Sequence, residues 1–435
     1  MQPFSEYVST LHDLVAEQLS ARATEPREAV LAALDGQPGR ELRRLVPLVK
    51  RRQDGAFFTG STLATKVVAH FLREPSRDIV VCDPACGAGD LLIAASHRLP
   101  IFASLESTLK LWATALRGYD IHEQFVEATR LRLVLAAISR GARSRHGTPT
   151  SLAAHLAGIR VTNGLTPTFD DVNLVLVNPP YGSRQAPARC KWASGQVSDA
   201  AVFTNDLVEK LPASTKITAI LPDVLRTGTR YAKWRREMHR RLHIDTIKVI
   251  GIFDNWADVD VFLLHASKRE VISERRTDAR WWSQANTSER VRDRFDVNVG
   301  AVVPHRDPDR GPWRKYLHAR TISKLAAYNA EQAPSRRFDR RTFRPPFVAI
   351  RRTSRPDDGA RAVGTIITGD ADVAVENHLI VASPRSGSLK DCEALLEVLR
   401  SDSTTTWLNE RIRCRHLTVG AVADIPWDAD GAATP

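Results

Sequence analysis

Hydrophobic positions along the 435 residues fall into three textures. In the first, Tyr7, Leu11, Leu14 and Val15 recur at helical spacing, and residues 29–34 and 42–49 suggest two further helices. A helical cap packed on the next domain is the plain reading of this stretch. In the second, short apolar runs alternate with helical ones. Residues 78–83, 116–121, 158–162, 172–177 and 216–222 predict strands, and helices are expected near 63–72, 102–115, 122–135, 203–211 and 230–242, with another beginning at 91. Such alternation predicts an α/β fold with a doubly wound, mostly parallel sheet. Two late runs, 246–252 and 259–264, predict an antiparallel hairpin at its edge. From about Ser273 periodicity weakens; residues 366–383 look strand-rich and 391–409 helical, as in an α+β domain. The expected divisions are 1–50, 51–272 and 273–435.

Composition changes this picture in three ways. A formal charge of +12 and a pI near 9.8 favour a polyanionic partner. No apolar run reaches membrane-spanning length, and Met1 to Glu6 lacks the basic-then-apolar start of a signal peptide, so a cytoplasmic protein is expected. Five cysteines, odd in number and scattered, suit a reducing compartment and form neither a zinc pattern nor a disulfide framework.

The chemistry concentrates where predicted strands end. The run 172–177 stops at Asn178-Pro179-Pro180-Tyr181. Two prolines cannot continue a ladder, so an amide, a rigid turn and an aromatic ring stand at the carboxyl end of a strand, where open α/β sheets bind ligands. Taken alone, the tetrad reads equally well as a strand-ending turn with a packed tyrosine. The strand ending at Asp83 leads into Pro84-Ala85-Cys86-Gly87-Ala88-Gly89-Asp90, a glycine turn before a helix, which lets backbone approach a ligand. Leu92 stands where a dinucleotide fingerprint wants a third glycine, and no Walker lysine follows, so the cargo is neither a dinucleotide nor a nucleoside triphosphate. Asp120, closing the second strand, is the residue type that pairs with a ribose diol, and capping the following helix is compatible with that role. Phe57-Phe58-Thr59 between Gly55 and Gly60 suits a ligand-covering loop or simply core. A polar loop after the tetrad carries Arg184, Arg189 and Lys191, and Phe253 and Trp256 sit between the late strands. Arg336, Arg337, Arg340, Arg341, Arg344, Arg351 and Arg352 are interleaved with aromatics, a composition suited to tracking phosphates.

In this order, the aromatic–threonine loop, Asp-Pro-Ala-Cys-Gly-Ala-Gly, Gly-Tyr-Asp and Asn-Pro-Pro-Tyr resemble the gamma-class DNA adenine-N6 methyltransferases of restriction–modification systems, over residues 50–268 and more loosely at the C-terminal end. The resemblance implies a class I methyltransferase-like catalytic domain over 51–272, a DNA target-recognition domain over 273–435, and S-adenosyl-L-methionine as cofactor. It places Phe58 and Thr59 at the methionine end of the cofactor, and Asp83, Ala85, Cys86, Gly87 and Gly89 along its methionyl and ribose portion. Asp120 would accept from the ribose hydroxyls, and Ile121 would pack on the cofactor's adenine. Asn163 replaces the family's usual acid, its amide oxygen still an acceptor. Asn178 and the Pro179 carbonyl, braced by Pro180, would hold the target N6 amine, and Tyr181 would stack on a flipped-out adenine. Phe253 would face it from the other side, with Trp256 in reserve. Arg184, Lys191 and the C-terminal arginines would contact DNA. The partners implied are double-stranded DNA and a cognate restriction endonuclease, with a monomeric chain and no metal.

Competing readings are a protein glutamine-amide methyltransferase, which also uses Asn-Pro-Pro-Tyr, an RNA base methyltransferase, and the modification subunit of a multi-protein complex. The Phe57-Phe58-Thr59 loop, the net charge and the long basic tail favour DNA.

Overall fold

The computed structural model describes residues 2–20, 28–72, 79–253, 259–272, 281–282, 289–322 and 326–427. The chain divides into two compact units, Met1–Arg226 with Arg230–Ala279, and Thr227–Thr229 with Arg280–Pro435.

The first unit opens with helices α1 (Ser5–Ser20), α2 (Glu28–Leu34), α3 (Gln37–Leu45) and α4 (Leu48–Asp54). The helix expected over 42–49 is broken at Val46, whose φ of −120° and ψ of 119° are extended because Pro47 follows and disfavours helical backbone before it. After α5 (Ser61–Val68) come β1 (Val81–Asp83), α6 (Asp90–Ser96), α7 (Leu105–Ala115), β2 (Leu116–Asp120), α8 (Glu123–Ser139), α9 (Pro149–Ala154), β3 (Ile159–Val161) and β4 (Leu174–Val177). The polar stretch after the tetrad, expected as a loop, is a two-stranded ribbon of β5 (Ser183–Gln185) and β6 (Gln196–Ser198). Then follow α10 (Asp199–Lys210), β7 (Lys216–Pro222), α11 (Asp223–Thr227), α12 (Ala232–Arg241), β8 (Leu242–Ile252) and β9 (Asp260–Lys268).

Seven of these strands form one sheet in the order β3-β2-β1-β4-β7-β9-β8. Pairings from β3 to β7 are parallel, and β9 runs antiparallel to both β7 and β8. All four β4 residues are buried, as a strand covered on both faces requires. Chain order reverses between β1 and β4, so the glycine turn and the tetrad leave adjacent strand ends at the switch point. Helix α8 buries residues around most of its circumference, which explains its missing apolar stripe. Its outer side is covered by the N-terminal helices, through Phe4 edge-on to Phe125 at 5.1 Å and His12 to Glu127 at 3.2 Å.

The second unit contains α13 (Val291–Arg294), β10 (Phe295–Val299), β11 (Trp313–Leu317), β12 (Ala327–Asn329), β13 (Ser335–Arg337), β14 (Phe347–Arg351), β15 (Gly364–Thr368), β16 (Val373–Val375), β17 (Leu379–Pro384), α14 (Leu389–Arg400), α15 (Asp402–Arg411) and α16 (Val419–Ala423). The central strands of a five-stranded sheet, β10-β17-β14-β15-β12, are buried on both faces. Val348 and Ile350 of β14 pack with α14, while Phe347 and Ala349 enter a second core with Ile367 and Val381, the period-two pattern of a strand. A three-stranded sheet, β13-β11-β16, stands beside it in the same unit. The helix expected over 391–409 is two, because the Ser401 hydroxyl accepts from Thr404 N–H and starts α15 afresh. No helix among the described residues is long and apolar enough to cross a membrane.

Candidate active site

A cavity of about 370 Å³ opens at the switch point, lined by the 53–59 loop, the glycine turn, the residues after β2 and β3, and Asn178 with Pro180. The sheet brings these segments together although they span more than a hundred residues.

Its floor is backbone. Gly87 has φ 51°, and a Cβ there would lie 2.8 Å from the Phe58 ring, so the turn needs glycine both for its dihedral and for the ring. Gly87 N–H donates to Asp120 Oδ2 at 3.1 Å, and His122 N–H donates to Asp120 Oδ1 at 2.9 Å. Asp120 therefore ties the turn to the end of β2 without itself capping α8, whose N-cap is His122. Burial pushes the Asp120 carboxyl up to about 6. Asp83, buried deeper and accepting from Ala85 N–H at 3.1 Å, is raised well above the usual carboxylate range, again chiefly by desolvation. Burial likewise raises the Cys86 thiol, leaving it a packing group. Gly89 precedes α6 and donates to Cys86 O at 2.8 Å. Ala85 lines the cavity, and Ile121, 64% exposed, presents an apolar side chain at it. Asn163 also lines it, but its Oδ1 already accepts from Leu165 N–H at 3.0 Å, which leaves one lone pair for anything else.

The opposite wall is the tetrad. Asn178 Nδ2 donates to Phe57 O at 3.0 Å and to Thr59 Oγ1 at 3.2 Å. Because the Phe57 carbonyl can only accept, the amide's orientation is fixed, and Oδ1 is buried with no hydrogen-bond partner. Gly55 lets the chain pass close to Pro180, where a Cβ would stand 2.6 Å from the proline's own. Tyr181 is 9% exposed, its hydroxyl donating to Ile220 O at 3.3 Å and raised well above its ordinary range by burial. Two rings flank it: Phe57, stacked at 6.3 Å and 27°, and Phe253, edge-on at 5.5 Å. Trp256 lies outside the described residues. Phe57 was the harder ring to foresee, since an aromatic before Phe58 could equally have been core. Asp199, Phe203 and Phe125 also line the cavity without a sequence signal of their own. Asp199, the first residue of α10, pairs with Arg184 of β5, and Asp206 of the same helix pairs with Arg189.

The remaining arginines lie in the second unit and are not equivalent. Arg352 donates to Asn377 O at 2.9 Å and Arg336 to Asp307 O at 2.6 Å, internal bonds that tie loops together. Arg340 pairs with Asp307, and Arg341 donates to Asn298 Oδ1 at 2.8 Å. Arg337, Arg344 and Arg351 are exposed, as is Lys191 in the first unit. Arg337 lies 5.6 Å from the ring of its cross-strand partner Trp313, which is 65% exposed.

The sequence profile of the family described as N-6 DNA Methylase matches residues 46–286, more than half of the chain. The chain belongs to this family. Comparison with curated protein sequences gives no match. Among solved structures, the Type IIL restriction-modification enzyme MmeI in complex with DNA superposes with a TM-score of 0.54 at 11% identity, over 89% of this chain and 70% of that one. A modification subunit of a putative type I restriction enzyme from Vibrio vulnificus YJ016 gives 0.38 at 17% identity, over 54% of this chain. The type IIG restriction endonuclease BpuSI gives 0.42 at 14%, over 97% of this chain. The chain spans about half the length of the Vibrio subunit, 49%, and 61% of BpuSI. As a member of the N-6 DNA methylase family, the chain has the class I methyltransferase fold, mixed sheet and helical N-terminal region included.

Proposed function

We propose that this protein is a site-specific DNA adenine-N6 methyltransferase of a restriction–modification or related defence system, acting in the cytoplasm on double-stranded DNA. One observation carries the reading: the buried Oδ1 of Asn178 has no hydrogen-bond partner, while Nδ2 is held by Phe57 and Thr59. A buried acceptor left without a donor costs roughly 1–3 kcal/mol and implies that a donor arrives with a ligand.

The residues fit S-adenosylmethionine: the cavity is of suitable size, Gly87 lets the Phe58 ring lie against the glycine turn as one of its walls, and Asp120 stands beside that turn. Bound there, this cofactor supplies an electrophilic methyl group. Asp120 would accept from its ribose hydroxyls, and Ile121 would cover its adenine. The target amine, its lone pair delocalised into the base, is a poor nucleophile. Asn178 Oδ1 and the Pro179 carbonyl would accept its two N–H groups and stabilise the positive charge that develops on nitrogen. Tyr181 would stack on the extruded base, and Phe253 would close the other side, after moving off the Tyr181 ring it now touches. The second unit would be the target-recognition domain, with Arg337, Arg344 and Arg351 its exposed cations and Trp313 a candidate base contact. A restriction endonuclease encoded separately would be the functional partner.

Incubating the purified protein with DNA and methyl-labelled cofactor should place label on adenine N6, and Asn178→Ala should lower transfer by about 10²–10³-fold. Sequencing of methylated bases from a strain expressing the gene should give one recognition sequence. Label on RNA or on a protein amide instead would sink the DNA reading.

A further inference from the structure

Helices α1 to α3 do not line the cavity, yet the first helices are bonded to both segments that form its glycine-turn wall. We propose that Arg132 is a positioning residue that makes these helices a working part of the cofactor site, an inference resting on the function proposed above.

Arg132 stands on α8 with its side chain fully buried. Its Nε donates to Ala33 O at 2.8 Å and its Nη2 to Leu34 O at 3.4 Å, carbonyls at the end of α2 that have no helical partner of their own. The same guanidinium donates to Ala88 O in the glycine turn and pairs with Asp90 at 2.9 Å. Asp90 in turn accepts from Gly60 N–H at 2.7 Å, where the Phe58-Thr59 loop ends. Two further ties run in parallel. The Ser61 hydroxyl donates to Asp35, and Phe4 lies edge-on to Phe58 at 5.8 Å.

A buried guanidinium satisfied by one carboxylate and three carbonyls has a single favourable arrangement, because displacing Asp90 strands a charge in a low-dielectric interior and displacing a carbonyl leaves a buried N–H unsatisfied. The end of α2, the glycine turn and the loop before α5 therefore move together or not at all. Ala88, Asp90, Phe58 and Thr59 all line the cavity. Whatever orders that wall orders the helices, and by linkage the helices contribute to affinity at the wall.

Hydrogen exchange on the full chain, with and without S-adenosylhomocysteine as the probe, tests this without any substitution. Exchange should slow across residues 28–45 as well as in the cavity-lining peptides. Binding with protection confined to the lining peptides overturns the inference alone; a wild-type chain that binds no probe overturns the proposed function together with it. Arg132→Met should weaken binding of the probe at least tenfold and raise KM for S-adenosylmethionine, with kcat at saturation retained and partial recovery in Arg132→Lys. A purely structural arginine would lower the active fraction and leave KM where it was. Unchanged affinity in folded Arg132→Met overturns the proposal, and if that variant does not fold, the exchange result on the wild-type chain decides.

Discussion

The two halves of the pocket are built on opposite principles. The cofactor half is open and held by its backbone: the N–H groups of Ala85, Gly87 and His122 donate to the Asp83 and Asp120 carboxylates around the cavity. The base half is side chain and closed, with Tyr181 anchored to Ile220 O and its ring flanked by Phe57 and Phe253. A backbone-built site is preorganised, so damage there should show first as lost affinity. A ring-packed site must part before it can accept a base, so damage there should show in turnover and in the DNA complex. The amide of Asn178 is the hinge between them, its nitrogen bonded to the loop of one half and its oxygen left for the other.

Asn178→Ala should break the contrast most sharply. Loss of one aimed acceptor should lower kcat by about 10²–10³-fold, with cofactor affinity measured by calorimetry nearly unchanged. Gly87→Ala should do the reverse. A Cβ 2.8 Å from Phe58, at a φ of 51° that costs a non-glycine residue about 1–2 kcal/mol, should weaken cofactor binding some tenfold or more and leave DNA affinity in a shift assay intact. Phe253→Ala should remove about 1–3 kcal/mol from the complex with the extruded base, read with a 2-aminopurine substitution at the target; a silent Phe253→Ala beside a damaging Trp256→Ala would reassign the second ring. The smallest effect concerns pH. Because the folded Asp120 carboxyl sits near 6, above its ordinary value, the native state holds this proton longer than the unfolded chain. Stability of the free protein should therefore decline by about 1–2 kcal/mol as pH rises from roughly 4 to 6, after discounting for partial exposure. Cofactor affinity should strengthen over the same rise, since the ionised group is the acceptor. Urea denaturation and calorimetry across that window should show both slopes; Asp120→Asn should reduce the stability slope to the share that Asp83, raised in the same direction, contributes, and should flatten the affinity slope.

Much of the frame was legible because its determinants are local. The buried runs around Leu174–Val177 and Lys216–Pro222, the glycine turn and the late hairpin each announce themselves within a dozen residues. The break at Pro47 was legible in principle and was overridden by the apolar spacing across it. The β5–β6 ribbon was not legible, since its polar strands are held by Arg184–Asp199 and by Trp192 against Tyr231 rather than by alternation. Nor could the sequence tell which way the Asn178 amide points, which depends on a carbonyl 121 residues away. Among the C-terminal arginines, Arg336 and Arg352 look no different from Arg337 in sequence; only their carbonyl partners separate loop ties from exposed cations.

The bond from Arg132 to Ala33 joins residues 99 apart in the chain. On a ribosome adding about 5–20 residues per second, α2 therefore emerges roughly 5–20 s before its partner exists. During that interval the faces that α1 and α2 turn to α8 have no partner, and they settle only when α8 is made. Docking of the first helices onto α8 thus precedes the synthesis of β4, β7, β8 and β9, so the Arg132 tie is available before the sheet is complete.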